Sequence, residues 1–187
     1  MCVILVGKIG RRLHEQAKAQ NQDGFSLFTS DQGLVKDPSP AQVEKALDTF
    51  GIWHYRIASS GKVDKQNIHP FPVAKGKAYL YHNGVLGEGT KDFSDTNCLA
   101  RTLFDCPLGT VKSVLSALSS GQRLLLVSAK DPHDFALYGD WKVDSGVLMS
   151  HKMYTSYASK ASRAGWVTRD ESCYNYPMSK YVYPERD

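Results

Sequence analysis

The sequence predicts an α+β domain, and three observations lead there. At 187 residues the chain is somewhat longer than a typical domain of ~100–150 residues, enough for one sizeable core. Strand-length apolar or alternating runs come in groups, and so do helix-length amphipathic stretches. A parallel sheet would demand strict alternation of the two. No internal repeat or low-complexity linker divides the chain. The expectation is one domain over residues 1–187, ending in an irregular, tyrosine-rich tail from about residue 154.

The elements follow in order. Residues 2–6 (Cys2-Val3-Ile4-Leu5-Val6) read as a buried strand. A helix over 11–19 ends in the polar loop at Asn21-Gln22, and Phe25 to Thr29 alternates as a strand does. Ser39-Pro40 opens a second helix, with serine as N-cap, proline in the first turn, and Val43, Ala46 and Leu47 on one face. Strands are expected over 52–58 and 79–86. Ser94 caps a helix through Leu99 and Leu103. A further helix carries Val111, Val114, Leu115 and Leu118 and stops at Gly121, a residue suited to a C-terminal cap. Short strands at 124–128, 135–138 and 147–149 complete the set.

Composition narrows the function classes. Hydrophobic residues make up 42% and charged residues 22%, as in an ordinary globular protein. The formal charge of +4 is spread along the chain; the densest basic group, Lys8, Arg11 and Arg12, suits a solvated helix face. No basic stripe with stacking aromatics is present, which argues against nucleic acid as a partner. No run approaches the ~20 apolar residues of a membrane span, and the first apolar run lacks the basic flank of a signal peptide. Cys2, Cys98, Cys106 and Cys173 are expected to be free thiols in a reducing, cytoplasmic setting. Neither the cysteines nor the histidines have zinc-site spacing, so no metal and no cofactor is expected.

Cys2 follows Met1, and removing Met1 would place a thiol and a free α-amine on one residue. Their reference pKa values, about 8.5 and roughly 7.7–8.0, are close enough for the amine to act as base for its own side chain. Behind Cys2 come Gln22-Asp23-Gly24-Phe25, His54-Tyr55-Arg56-Ile57-Ala58-Ser59, Asn67-Ile68-His69-Pro70-Phe71, His82-Asn83-Gly84 and Ser94-Asp95-Thr96. In this order they resemble the glutaminase domain of class II glutamine amidotransferases, which are N-terminal nucleophile hydrolases. The resemblance runs from residue 2 to about residue 100. It implies a four-layer αββα sandwich and a glutamine-hydrolysing enzyme that releases ammonia.

The same residues have plainer readings. Asn-Gly between apolar runs is a strong hairpin signal by itself. Under the resemblance, the Asn83 amide and the Gly84 backbone N–H form an oxyanion hole, and one tight turn can serve both purposes. Arg56 by default would be a residue at a strand end. The resemblance implies that its planar fork holds the α-carboxylate of glutamine. Asp95 suits the first turn of a helix, whose dipole favours a carboxylate; the resemblance pairs it with the substrate α-ammonium. His54, Asn67 and Thr96 join the substrate-binding set, His54 as a packing and hydrogen-bonding residue and Asn67 as a shaper of the pocket with His69-Pro70-Phe71. Asp23-Gly24 is expected to support the pocket wall.

Two departures mark a divergent branch: Val3 where glycine usually follows the nucleophile, and Asn97 where glutamate often follows Ser-Asp-Thr. Free-standing forms of such domains, phage-encoded ones among them, put any ammonia-accepting synthase on a separate polypeptide. An amidohydrolase cutting another γ-glutamyl or amide substrate, and a non-catalytic binding module on the same fold, are the competing readings.

Overall fold

The computed structural model describes residues 2–151. Cys173 and the tyrosine-rich segment from about residue 154 lie outside the described residues. The fold is mixed α/β with two antiparallel sheets. The larger has the order β3-β2-β4-β1-β10-β9, built from β1 (Val3–Lys8), β2 (Phe25–Thr29), β3 (Gly33–Lys36), β4 (Phe50–Tyr55), β9 (Lys142–Asp144) and β10 (Val147–Met149). The smaller has the order β5-β6-β7-β8, from β5 (Phe71–Val73), β6 (Ala78–Asn83), β7 (Arg123–Ser128) and β8 (Phe135–Gly139). Among the described residues four α-helices accompany them: α1 (Arg11–Gln20), α2 (Pro40–Ala46), α3 (Asp95–Leu103) and α4 (Leu108–Ala117).

Successive residues of a strand face opposite ways, and here both faces are covered. Val3 and Leu5 of β1 join Leu27, Trp53, Tyr55, Ala17 of α1 and Val43 of α2 in one core. Leu80, Leu124 and Leu126 of the smaller sheet join Ala100 and Leu103 of α3 and Val111 and Leu115 of α4 in a second. The alternate residues, Ile4, Val6 and Ile52 from the larger sheet with Tyr81, Leu125 and Leu137 from the smaller, form a third core shared by both sheets. This explains why β1 and β7 read as continuous apolar runs rather than alternating ones.

Helix ends follow their sequence signals in part. Ser39 and Gln42 form a reciprocal capping box at α2, and the Ser94 side chain accepts from Asn97 N–H at the start of α3. α4 departs from expectation: it ends at Ala117 with Leu118 as its C-cap, and Gly121 sits in the following turn with φ +70°. The strand expected over 52–58 ends at Tyr55, and the one over 79–86 ends at Asn83. In both cases the polar cluster itself terminates the ladder. β3, β5 and β9 were not expected; each is only three or four residues long, too short to show a period.

Among the described residues no helix is long and apolar enough to cross a membrane.

Candidate active site

The strand register delivers the nucleophile candidate. β1 pairs with β4 so that Val3 faces Tyr55 and Ile4 faces His54; one further step sets Cys2 beside Arg56. By alternation Cys2 lies on the face of Ile4 and Val6, the side shared by the two sheets. Across from it β6 ends at Asn83, and α3 begins at Asp95. The result is a small, partly open concavity whose walls include Cys2, Arg56, His82, Gly84, Asp95 and Thr96. A larger concavity beside Glu15, Lys18 and Asp37 is lined by Gln22, Gly24 and Phe25 of the first motif but by none of the expected catalytic or substrate-binding residues.

Cys2 Sγ lies 3.5 Å from the Ile57 carbonyl. Burial pushes its thiol pKa up, opposed by that hydrogen bond and by the positive charge of Arg56. A thiol held neutral needs a local base before it attacks anything.

Arg56 is 2% exposed, yet no described carboxylate forms an ion pair with it. Its two terminal nitrogens donate to the carbonyls of Lys62 and Ser60, both at 3.1 Å. Those bonds fix the plane of the guanidinium and leave other N–H donors unused. A buried cation without a counter-ion is costly, so an anion arriving in the cavity is strongly favoured. The strand end is pinned from behind: Asp23 Oδ2 accepts from Ala58 N–H at 2.7 Å, and a Cβ on Gly24 would stand 2.7 Å from Ile68. Asp23-Gly24 thus supports the wall that carries Arg56.

Asp95 is held by Leu86 N–H (2.8 Å) on Oδ2 and by Thr96 N–H on Oδ1 (2.6 Å). Each carboxylate oxygen has further lone-pair capacity, so a cation can still be received. Thr96 Oγ1 lies 2.9 Å from His82 Nδ1 and 3.1 Å from Asp95 Oδ1.

Of the remaining expected residues, Gly84 lines the cavity; Asn83, His54 and Asn67 stand behind it. The Asn83 amide nitrogen donates to the Ser150 carbonyl (3.2 Å) and hydroxyl (3.0 Å), while its carbonyl oxygen is buried without a partner. Asn67 is a structural hub: its amide nitrogen donates to Lys62 O, Asp64 Oδ1 and Asp92 O, and its oxygen accepts from Ser94 N–H. That joins the 62–64 and 92–94 segments that rim the cavity. His54 packs against His69 with ring centroids 4.2 Å apart and planes tilted by 34°, and among the described residues the His69 ring nitrogens have no hydrogen-bond partner. Burial, then the charge of Arg56, drives His54 down to about 3, and burial holds His69 well below the usual imidazole range. Both are neutral packing residues; on His54 a hydrogen bond with the His82 backbone pulls the other way but does not offset burial.

Sequence reasoning missed Gln122 and Ser150. Both reach the site through strand register, which no local motif carries. Cys98 and Cys106 are free thiols, as is Cys2. Among the described residues no group of three or more His, Cys, Asp or Glu side chains is placed to hold a metal ion.

The comparisons with known proteins bear on this site. No family model matches the sequence. The chain is 26% identical over 223 residues to human amidophosphoribosyltransferase, a match covering 98% of this chain and 42% of that protein. It is 34% identical over 76 residues to the isomerizing glutamine–fructose-6-phosphate aminotransferase of Lactiplantibacillus plantarum, covering 41% and 12% respectively. The corresponding aminotransferase of Pyrobaculum aerophilum is 23% identical over 155 residues, covering 68% and 26%. These relatives are class II, N-terminal nucleophile glutamine amidotransferases, and this chain is homologous, at low identity, to their glutaminase region. It spans less than half the length of these curated relatives.

Proposed function

We propose that the protein hydrolyses glutamine at Cys2 once Met1 has been removed, and that its three cores stack as a four-layer αββα sandwich. The observation that carries the reading is the cavity that gathers Cys2, Arg56, Gly84 and Asp95, with a carboxylate and a buried guanidinium that no described carboxylate pairs with on its walls. The layering is supported by α1 and α2 covering the larger sheet, α3 and α4 the smaller, and a core shared between the sheets.

In this reading glutamine enters with its α-carboxylate on Arg56 and its α-ammonium on Asp95. The Cys2 amine takes the thiol proton as sulfur attacks the side-chain amide carbon. The new C–S bond leaves a tetrahedral oxyanion, which the Gly84 N–H receives; the Asn83 amide joins it by leaving Ser150. Collapse expels ammonia, protonated by the Cys2 ammonium, and leaves a γ-glutamyl thioester. Water, deprotonated by the same amine, then cleaves the thioester to glutamate and free Cys2. Release of ammonia to water, or to an acceptor on another polypeptide, completes the reaction.

The test combines intact mass with ammonia release. Active protein should lack Met1 and gain one adduct from a glutamine-analogue electrophile, on Cys2. Cys2→Ala should release no ammonia, while Cys98→Ala and Cys106→Ala should act as the unmodified protein does. An active Cys2→Ala variant would refute the assignment. Ammonia from other γ-glutamyl amides but not from glutamine would replace it with the broader amidohydrolase reading.

A further inference from the structure

The turn that carries Gly84 is held by Gln122. β6 and β7 pair with Asn83 opposite Arg123, and one more step sets Gly84 opposite Gln122. The Gln122 side chain lies along the turn, its Nε2 donating to the Val85 carbonyl at 2.9 Å and its Oε1 accepting from Val85 N–H at 3.0 Å. Two glycines make room for it. A Cβ on Gly84 would stand 1.9 Å from Gln122 Oε1, and one on Gly139 (φ +89°) would stand 1.8 Å from the Gln122 carbonyl oxygen. No side chain fits at either place without moving Gln122.

Proton counting gives this contact a consequence. Val85 N–H only donates and its carbonyl only accepts, so the Gln122 amide has one orientation. Oε1 therefore meets His82 Nε2, 2.9 Å away, as an acceptor, and that nitrogen must carry a proton. In neutral His82, Nδ1 is then the acceptor and takes the Thr96 hydroxyl proton across 2.9 Å. Thr96 has one O–H, and Asp95 Oδ1 competes for it at 3.1 Å. If His82 gains a proton, Nδ1–H donates to Thr96 Oγ1 and the threonine proton turns to Asp95.

We propose that Gln122 is a positioning residue: it fixes the Nε2–H tautomer of His82 and, through Thr96, couples the proton on His82 to the capacity of Asp95 to bind a cationic head group. Burial favours neutral His82, working against the Gln122 hydrogen bond and the attraction of Asp95. The neutral state leaves Asp95 Oδ1 free of the threonine hydroxyl. The other titratable or charged groups facing this cluster are Cys2 from the start of β1, Arg56 beyond β4, and the neutral His54 and His69. Acidification places a positive charge beside Asp95 and occupies its oxygen, so an ammonium ligand binds less well. Only this last consequence rests on the glutaminase reading.

Long-range proton–nitrogen NMR of histidine-labelled protein tests the tautomer directly, with His82 assigned by its loss in His82→Gln. At neutral pH, wild-type His82 should show a proton on Nε2 and a bare Nδ1, gaining the second proton on acidification. Gln122→Leu removes the acceptor and should move His82 toward the Nδ1–H form. Gln122→Glu keeps an acceptor but adds a negative charge, so Nε2–H should persist and the titration should move to higher pH. KM for glutamine should rise by up to about tenfold per pH unit below the His82 midpoint, and that rise should follow the midpoint in Gln122→Glu. An Nδ1–H tautomer in the wild type, or spectra unmoved in both variants, would overturn the proposal. A KM flat across the observed titration would overturn the link to Asp95. Spectra as expected in a protein that releases no ammonia from glutamine would uphold the tautomer lock and refute the glutaminase reading instead.

Discussion

Acid should unfold this protein early, because His54 and His69 are packed ring against ring and buried beside the site. In the unfolded chain each titrates near 6.5. Folded, His54 is held to about 3 and His69 well below its usual range, chiefly by burial. Below pH 6.5 the unfolded chain therefore binds protons that the folded chain refuses. The stability of the neutral pair is complete above that pH and is lost as pH falls toward the folded values. At pH 5 a histidine locked neutral costs about 2 kcal/mol, so His54 alone removes a sizeable share of a total of roughly 5–15 kcal/mol, and His69 acts in the same direction. Urea unfolding followed by tryptophan fluorescence at pH 7, 6 and 5 measures this. His54→Phe keeps an aromatic ring against His69 but removes one titrating group. Whatever it does at pH 7, it should reduce the loss between pH 7 and 5 by about 2 kcal/mol. Parallel pH dependence in wild type and variant would refute the reasoning, since His54 would then be accepting its proton in the folded state.

Two further substitutions probe the contacts proposed with glutamine. Arg56→Lys keeps the charge but cannot reach the Ser60 and Lys62 carbonyls while offering a fork to a carboxylate; losing a charge-assisted hydrogen bond of about 1.5–3 kcal/mol should raise KM for glutamine roughly ten- to a hundredfold. Glutamine amidated at its α-carboxylate should show no such difference between the two proteins. Asn83→Ala should lower kcat by on the order of 10²–10³ with little change in KM if its amide reaches the oxyanion; it should also lower the Tm, because the bonds to Ser150 go with it. A lowered Tm with unchanged kcat would leave Asn83 a purely structural residue.

Much of the site was legible because its residues sit where strands and helices end, and ends carry local signals. Ser94 announces α3 by capping chemistry, which puts Asp95 in the first turn. Asn83-Gly84 marks the end of β6, as a turn pair should. Cys2 is placed by the apolar run behind it. What stayed hidden depends on pairing between distant strands. Gln122 is an unremarkable polar residue after Gly121; only the register of β6 on β7 sets it against Gly84. Ser150 follows β10 and meets Asn83 only because β10 lies beside β1. The missed strands β3 and β9 are edges of the larger sheet, where a few residues suffice and neither face must be continuously apolar.

The period that builds the shared core also builds the cavity. Along β1, β4 and β6 the residues facing the opposite sheet begin apolar, with Ile4, Ile52 and Tyr81, and turn polar at one end, with Cys2, His54 and Arg56, and Asn83. A slip of one residue in β1 would send Cys2 to the helix side and Val3 into the cavity. Ser150 guards against that slip. Its N–H donates to the Ile4 carbonyl at 3.1 Å, and its hydroxyl accepts from Ile4 N–H at 2.8 Å. The same hydroxyl accepts from the Asn83 amide on the other sheet. One buried serine therefore sets the strand that carries Cys2 against the turn that carries Gly84. The separation of Cys2 from the Gly84 turn is thereby a property of the packed sheets rather than of either loop.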